Sequence, residues 1–269
     1  MLVALSPILV EWKNRICNEE RILSRINKAV QNKANVICFP EYCITGYNYL
    51  FDDESAKQAI NINNDPFVNK IKAETKDKNI DIIFGCLEQD HEDIFNSSLY
   101  ISGGEILGKH RKIMEGGPIS KGKTVNCFKT KLGSVSMILC GDIFNDFVIA
   151  ELVKKQPYIV FMPMDRCLGK MDFCSNFKND CDDLDCEKED SSKNCYKPEY
   201  SDHIEAWNKR AKLDYCSQVQ KYGCTTIIVN ALDNNHEKAC GGALFINKTG
   251  KIVNEVNYGS DTIHYIKLD

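Results

Sequence analysis

The chain alternates two periodicities, and that alternation limits its architecture more than any other feature. Segments with apolar residues at helical spacing are separated by short, apolar, partly β-branched runs. Residues 3–5 form the first such run. Across residues 18–31, Ile22, Leu23, Ile26 and Val30 recur at helical spacing and predict one core-facing stripe. Residues 35–39 are a second apolar run, ended by Pro40, so the opening reads as strand, helix, strand. The next helix is predicted over residues 65–78, with Asp65 as N-cap and Pro66 at the first helical position. Phe67, Val68 and Ile71 would form its buried stripe. Residues 80–86 then read as a strand buried on both faces.

Beyond residue 95 some strands come in pairs. Leu99, Tyr100 and Ile101 lead through Gly103-Gly104 into residues 105–107, a tight-turn pattern. A second hairpin is predicted from residues 125–130 and 135–140 around a turn at 131–133. A helix over 145–155 is stopped by Pro157, and a strand over 158–162 runs up to Pro163. After a break at 165–203 come a helix over 202–222, with Gly223 past its end, and strands at 225–230, 242–246, 251–256 and 262–268. The last group includes a turn at 247–250. A wholly parallel sheet has no place for hairpins. The pattern therefore predicts an α/β fold with mixed sheets and helices outside. Two sheets packed face to face, each covered by helices, would use every strand in a single domain spanning residues 1–269.

The break at 165–203 carries Cys167, Cys174, Cys181, Cys186 and Cys195 among many acids and few aliphatic residues. Such a composition cannot form a core element and is read as a loop insertion. Its cysteines form no C-x2-C pair, so a solvated acidic lid is favoured over a metal or disulfide clip. Fourteen cysteines in 269 residues fall short of the ~8–10% share of a disulfide scaffold. The apolar stretch 2–10 is broken by Ser6 and Pro7 and lacks a basic lead, so it reads as mature structure. Free thiols in a reducing, cytoplasmic setting are therefore expected. The formal net charge of −4 offers no basic excess for nucleic acid, and no apolar run is long enough to enter a membrane as a spanning helix. His91, His110, His203, His236 and His264 show no metal-ligand spacing, and neither metal nor cofactor is expected.

Chemistry concentrates at strand ends. Cys140 ends a predicted strand, and Gly141-Asp142 turns the chain toward a helix. That is the strand–turn–helix logic of a nucleophile elbow, with a backbone N–H beside the thiol at Gly141. A helix N-terminus there would lower the thiol's pKa. Glu41 is the first charge after the apolar run 36–39, where burial would raise its pKa and suit it to general-base work. Lys112 could present a cation to a developing oxyanion. Taken singly, each has an ordinary alternative: a buried cysteine, a solvated loop acid, a surface lysine in a basic run.

Taken together they are distinctive. Glu41 lies in FPEYCITGY, Lys112 in GKHRKI and Cys140 in ILCGDIF. In this order and spacing they resemble the nitrilase superfamily, the carbon–nitrogen hydrolases. The flanks SLYISGGEILGKHRKI, WNKRAKLDYCSQVQKYGCTTIIVNA and GGALFINKTGKIVNEV extend the resemblance over nearly the whole chain. The resemblance implies a four-layer αββα sandwich. It also implies Cys140 as nucleophile, Glu41 as general base, Lys112 as stabiliser of the tetrahedral intermediate and the Gly141 N–H as second oxyanion donor. The expected activity is hydrolysis of a non-peptide C–N bond in a small amide or N-carbamoyl compound. A true nitrilase and a catalytically silent binding scaffold remain as alternatives. A homodimer or larger homo-oligomer is implied as well. Many members carry a second glutamate after the lysine, for which Glu115 is the nearest acid. Tyr47, Met164 and Asp165 are expected around the substrate. The chain departs from the family after the nucleophile: Gly141 replaces an aromatic residue, Phe144 stands where arginine is expected, and Asn145-Asp146-Phe147 lacks a Pro-Glu pair.

Overall fold

In the computed structural model, residues 1–47, 52–166, 207–233 and 240–268 are described. Their strands are β1 (Leu2–Leu5), β2 (Val36–Cys38), β3 (Asp81–Asp90), β4 (Asp93–Ser102), β5 (Glu105–Arg111), β6 (Cys127–Thr130), β7 (Gly133–Met137), β8 (Ile159–Met164), β9 (Thr225–Asn230), β10 (Ala243–Ile246), β11 (Ile252–Val256) and β12 (His264–Lys267). The helices are α1 (Arg15–Gln31), α2 (Asp53–Ala56), α3 (Pro66–Lys78), α4 (Asp146–Lys155) and α5 (Lys212–Tyr222). A 3-10 turn, Cys140–Phe144, leads into α4, and one π turn, Trp207–Ala211, leads into α5.

Two six-stranded sheets form, in the orders β12-β1-β2-β3-β4-β5 and β11-β10-β9-β8-β7-β6. Each is mixed: β1, β2 and β3 run parallel, as do β7, β8 and β9, with antiparallel strands outside them. The alternation of strand side chains explains how a nearly continuous apolar run serves two layers. Val3 and Leu5 of β1 face the other sheet, while Ala4 faces the helices. In β8, Phe161 enters the inter-sheet layer, whereas Val160 and Met162 pack toward the helices. Val3, Leu5, Cys38, Ile83 and Tyr100 thus meet Val135, Met137, Phe161, Ile227 and Val229 between the sheets. Helices α1 and α3 cover one sheet with Ile22, Ile26, Phe67, Val68 and Ile71, and α4 and α5 cover the other with Val148, Leu152, Tyr215 and Val219. Each such buried aliphatic side chain is worth about 1.5–3 kcal/mol. The result is the four-layer αββα sandwich expected from the sequence.

Local signals hold closely. The Asp65 side chain accepts hydrogen bonds from the N–H groups of Phe67 and Val68 and caps α3. Gly103 and Gly104 turn β4 into β5, and Gly223 ends α5 at φ +69°. Several elements differ from the sequence reading. Helix α1 starts at Arg15 rather than near residue 18. Strand β3 continues to Asp90 and turns through His91, at φ +54°, directly into β4. That hairpin lies in a polar stretch with no glycine to signal it. Strand β7 ends at Met137, before Cys140. Strand β8 passes through Pro163 instead of stopping there. The β7–β8 pairing ends at Phe161, so the missing proline N–H falls where that ladder has already finished. Apart from residues 165 and 166, the acidic cysteine-bearing segment lies outside the described residues.

Candidate active site

The parallel strands β2, β7 and β8 deliver their C-terminal ends to the same edge of the sandwich, and β5 ends there too. Glu41 follows β2 after Phe39 and Pro40. Its backbone is held by neighbouring β3: the Phe39 N–H donates to the Ile83 carbonyl, and the Gly85 N–H donates to the Pro40 carbonyl. Gly85 is required there, because a Cβ at that position would lie 2.6 Å from Glu41 Cα. The Glu41 side chain is 1% exposed. Its Oε1 accepts from Asn96 Nδ2 at 2.5 Å and from Lys112 Nζ at 3.2 Å, while Oε2 accepts from the Asp165 backbone N–H at 2.8 Å.

Lys112 leaves the end of β5. Its N–H donates to the Asn96 carbonyl at 2.8 Å, and its carbonyl accepts from the Gly122 N–H at 2.7 Å. Its ammonium group also lies 3.5 Å from Glu115 Oε2, which accepts from Asn96 Nδ2 at 3.1 Å. Glu41, Lys112, Glu115 and Asn96 therefore form one cluster. Glu115 belongs to it even though its position in the sequence did not distinguish it from loop surface.

Cys140 opens the 3-10 turn at φ +43°, a strained value for a residue with a side chain. Asp142 holds that bend. Its Oδ1 accepts from the N–H groups of Ile113 and Met114 at 2.9 and 2.7 Å, and its Oδ2 accepts from Leu139 N–H at 3.2 Å and lies 2.7 Å from His110 Nε2. One fully buried carboxylate thus ties the segment beyond β5, which carries Lys112, to the turn that carries Cys140. The first bond inside the turn runs from Asp142 N–H to the Leu139 carbonyl, so the Gly141 N–H precedes it and has no partner within the turn.

Burial sets the electrostatics. It raises the pKa of Glu41, and the Glu115 charge adds to the rise, against the pull of Lys112, Asn96 and the Asp165 N–H. Burial alone would lower the pKa of Lys112, but the negative charge at Glu41 and Glu115, and at Cys140 once it ionises, holds it well above its ordinary value. The Cys140 thiol is pushed up to about 12 by burial and by Glu41, with Lys112 and Arg166 acting in the opposite direction. This corrects the expectation of a thiol activated by a helix N-terminus. A five-residue 3-10 turn contributes little dipole, and burial beside a carboxylate outweighs it. At that value the resting thiol is protonated, so a nucleophilic role would require a base.

The expected pocket residues fall in three different settings. Tyr47 stacks on Tyr42 with ring centroids 4.4 Å apart, and the charges of Glu115, Lys112 and Glu41 all bear on its hydroxyl. Asp165 offers its backbone N–H to Glu41. Met164 is fully buried in the core under α5, where its sulfur accepts the Tyr215 hydroxyl at 3.3 Å. Arg166, which sequence reasoning passed over, donates to the Tyr215 hydroxyl at 2.9 Å. Asn96 was missed as well. The available signal was the polar run Asn96-Ser97-Ser98 inside a strand, all of it fully buried.

The Carbon-nitrogen hydrolase family model matches residues 9–171. A curated relative, the glutamine-dependent NAD(+) synthetase of Thermotoga maritima, is 24% identical over 152 residues, covering 54% of this chain and 25% of that protein. The chain thus spans about a quarter of the length of the curated relative it matches. Among solved structures, the glutamine-dependent NAD+ synthetase of Acinetobacter baumannii superposes with TM-score 0.71 at 18% identity, over 98% of this chain and 44% of the other. A variant of the amidase from Nesterenkonia sp. AN1, with the acetamide moiety of fluoroacetamide added covalently at its active-site cysteine, superposes with TM-score 0.73 at 13% identity, over 100% and 90%. The extent of the family match, over more than half of the chain, is decisive: this protein belongs to the carbon–nitrogen hydrolase family.

Proposed function

We propose that this protein hydrolyses a non-peptide C–N bond in a small amide or N-carbamoyl compound, through a thioester on Cys140. The observation that carries this reading is the cluster of Glu41, Lys112 and Glu115 at the strand ends beside the Cys140 bend. The relatives lend support: one, an amidase variant, carries the acetamide moiety of fluoroacetamide covalently at its active-site cysteine, and two are glutamine-dependent.

In this reading Cys140 Sγ attacks the carbonyl carbon while its proton passes to Glu41, the only step that frees a thiol with a pKa near 12. Negative charge gathers on the former carbonyl oxygen. Lys112 Nζ and the Gly141 N–H offset it, and loss of one such donor costs about 2.7–4 kcal/mol of barrier. The C–N bond breaks as Glu41 returns its proton to the leaving nitrogen, and a thioester remains. Water then attacks the thioester carbon, giving a proton to Glu41. The C–S bond breaks, the sulfur recovers that proton, and the carboxylic acid product leaves. Glu41 must begin as a carboxylate, and its contacts with Lys112 and the Asp165 N–H favour that form. Tyr47 and Asp165 border the same cluster and are proposed to shape the substrate space.

Ammonia release across short amides, N-carbamoyl amino acids and nitriles tests the proposal. The Cys140→Ala variant should fall to background with an unchanged melting temperature. Turnover at the wild-type rate in that variant would end the proposal.

A further inference from the structure

Asn96 makes contacts that the proposed reaction does not require. Its side chain is fully buried on β4, and its single amide nitrogen donates to both carboxylates, at 2.5 Å to Glu41 and 3.1 Å to Glu115. Its carbonyl fixes the backbone of Lys112. Its Oδ1 is buried and has no hydrogen-bond partner among the described residues. Turning the amide over would set that oxygen against two carboxylates, so the acids dictate its orientation. An unpartnered buried oxygen is a cost that native structures rarely carry without a reason.

We infer that Asn96 is a positioning residue, which spaces Glu41 and Glu115 on either side of Lys112 and keeps Glu41 in its proton-accepting form. The inference rests on the reading of Glu41 as the base for Cys140. Glu41 and Glu115 share one ammonium group and compete for it, and the charge of Glu115 raises the affinity of buried Glu41 for a proton. The two amide hydrogens of Asn96 serve one acid each. Without them Glu41 retains Lys112 and the Asp165 N–H but loses its 2.5 Å contact. The other titratable groups bearing on Glu41 or its neighbours are Glu115, Asp165, Cys140, Tyr42 and Tyr47, with Arg166 acting on Cys140. The carboxylates among them, Glu115 and Asp165, cannot replace the lost donor while ionised.

Alkylation of Cys140 by iodoacetamide tests this without a substrate. The Sγ–carbon bond forms, iodide leaves, and the thiol proton passes to Glu41. The rate at Cys140, followed by peptide mass spectrometry from pH 4 to 9, should show an acidic inflection in the wild type that Glu41→Gln abolishes. Asn96→Ala and the uncharged, near-isosteric Asn96→Leu should move that inflection up by about one unit, making alkylation about tenfold slower on its acidic side. Asn96→Leu fills the same space without adding a charge, so a packing role alone would leave the inflection in place, and this variant decides the matter if truncation unfolds the chain. An inflection that depends on Glu41 but is unmoved in Asn96→Leu overturns the role of Asn96 and leaves the proposed function intact. A wild type with no Glu41-dependent inflection overturns both.

Discussion

Replacing Asp142 should show how strongly one carboxylate holds the site together. In Asp142→Ala, four donors lose their acceptor: the N–H groups of Ile113, Met114 and Leu139, and His110 Nε2. Water can reach Ile113 and Met114 in part, but Leu139 and His110 are buried. An orphaned buried donor costs about 1–3 kcal/mol, so these two alone predict a loss of ~2–6 kcal/mol. Asp142→Asn should cost less. Its amide oxygen can keep the bonds from Ile113 and Met114. Its amide nitrogen can donate to His110 if the imidazole moves its proton to Nδ1, which has no partner to lose among the described residues. Only the Leu139 N–H is then left facing another donor, at about 1–3 kcal/mol. Urea unfolding followed by circular dichroism reads both values. An alanine variant within 0.5 kcal/mol of wild type, on the order of an ordinary surface change, would refute the reasoning. So would an asparagine variant as unstable as the alanine one.

Further expectations concern the supports of the site and the pH response of the fold. Gly122→Ala places a Cβ 1.9 Å from the Arg111 carbonyl oxygen, a backbone atom that cannot step aside. It should destabilise by about 1–3 kcal/mol or more and reduce ammonia release by displacing Lys112; an unaltered melting curve would contradict this. Glu88 is buried, yet hydrogen bonds from Arg111, Lys109 and Ser97 overcome burial and hold its pKa below 4.5. The unfolded chain therefore takes up the proton first as pH falls, so the stability contributed by Glu88 is present above about pH 4.5 and lost below it. The Glu88→Gln variant should show a flatter decline of the urea midpoint below that pH, and an identical decline would count against the ion-pair network.

Elements announced by neighbouring residues could be read before any coordinates. Asp65-Pro66 marks the start of α3, Gly103-Gly104 marks a turn, and the stripe through Ile22 and Ile26 marks a buried helix face, because caps, turns and periodicities act within a few residues. The β3–β4 hairpin was not legible, since the two residues at the centre of its turn, His91 and Glu92, are not the Gly or Asn that a two-residue hairpin turn favours. The sites of Glu41, Lys112 and Cys140 could be named from their motifs, but their setting could not. Glu41 and Lys112 are 71 residues apart, and their 3.2 Å contact exists only because β2 and β5 belong to one sheet and end at the same edge. Asn96, Glu115 and Asp142 look like loop or surface residues when read locally. Packing removes them from water, and a buried polar group must then find partners wherever the fold supplies them. Local order follows from short-range sterics and hydrogen bonds written along the chain, whereas the protonation of Glu41 and Cys140 depends on burial and charge brought together from distant segments.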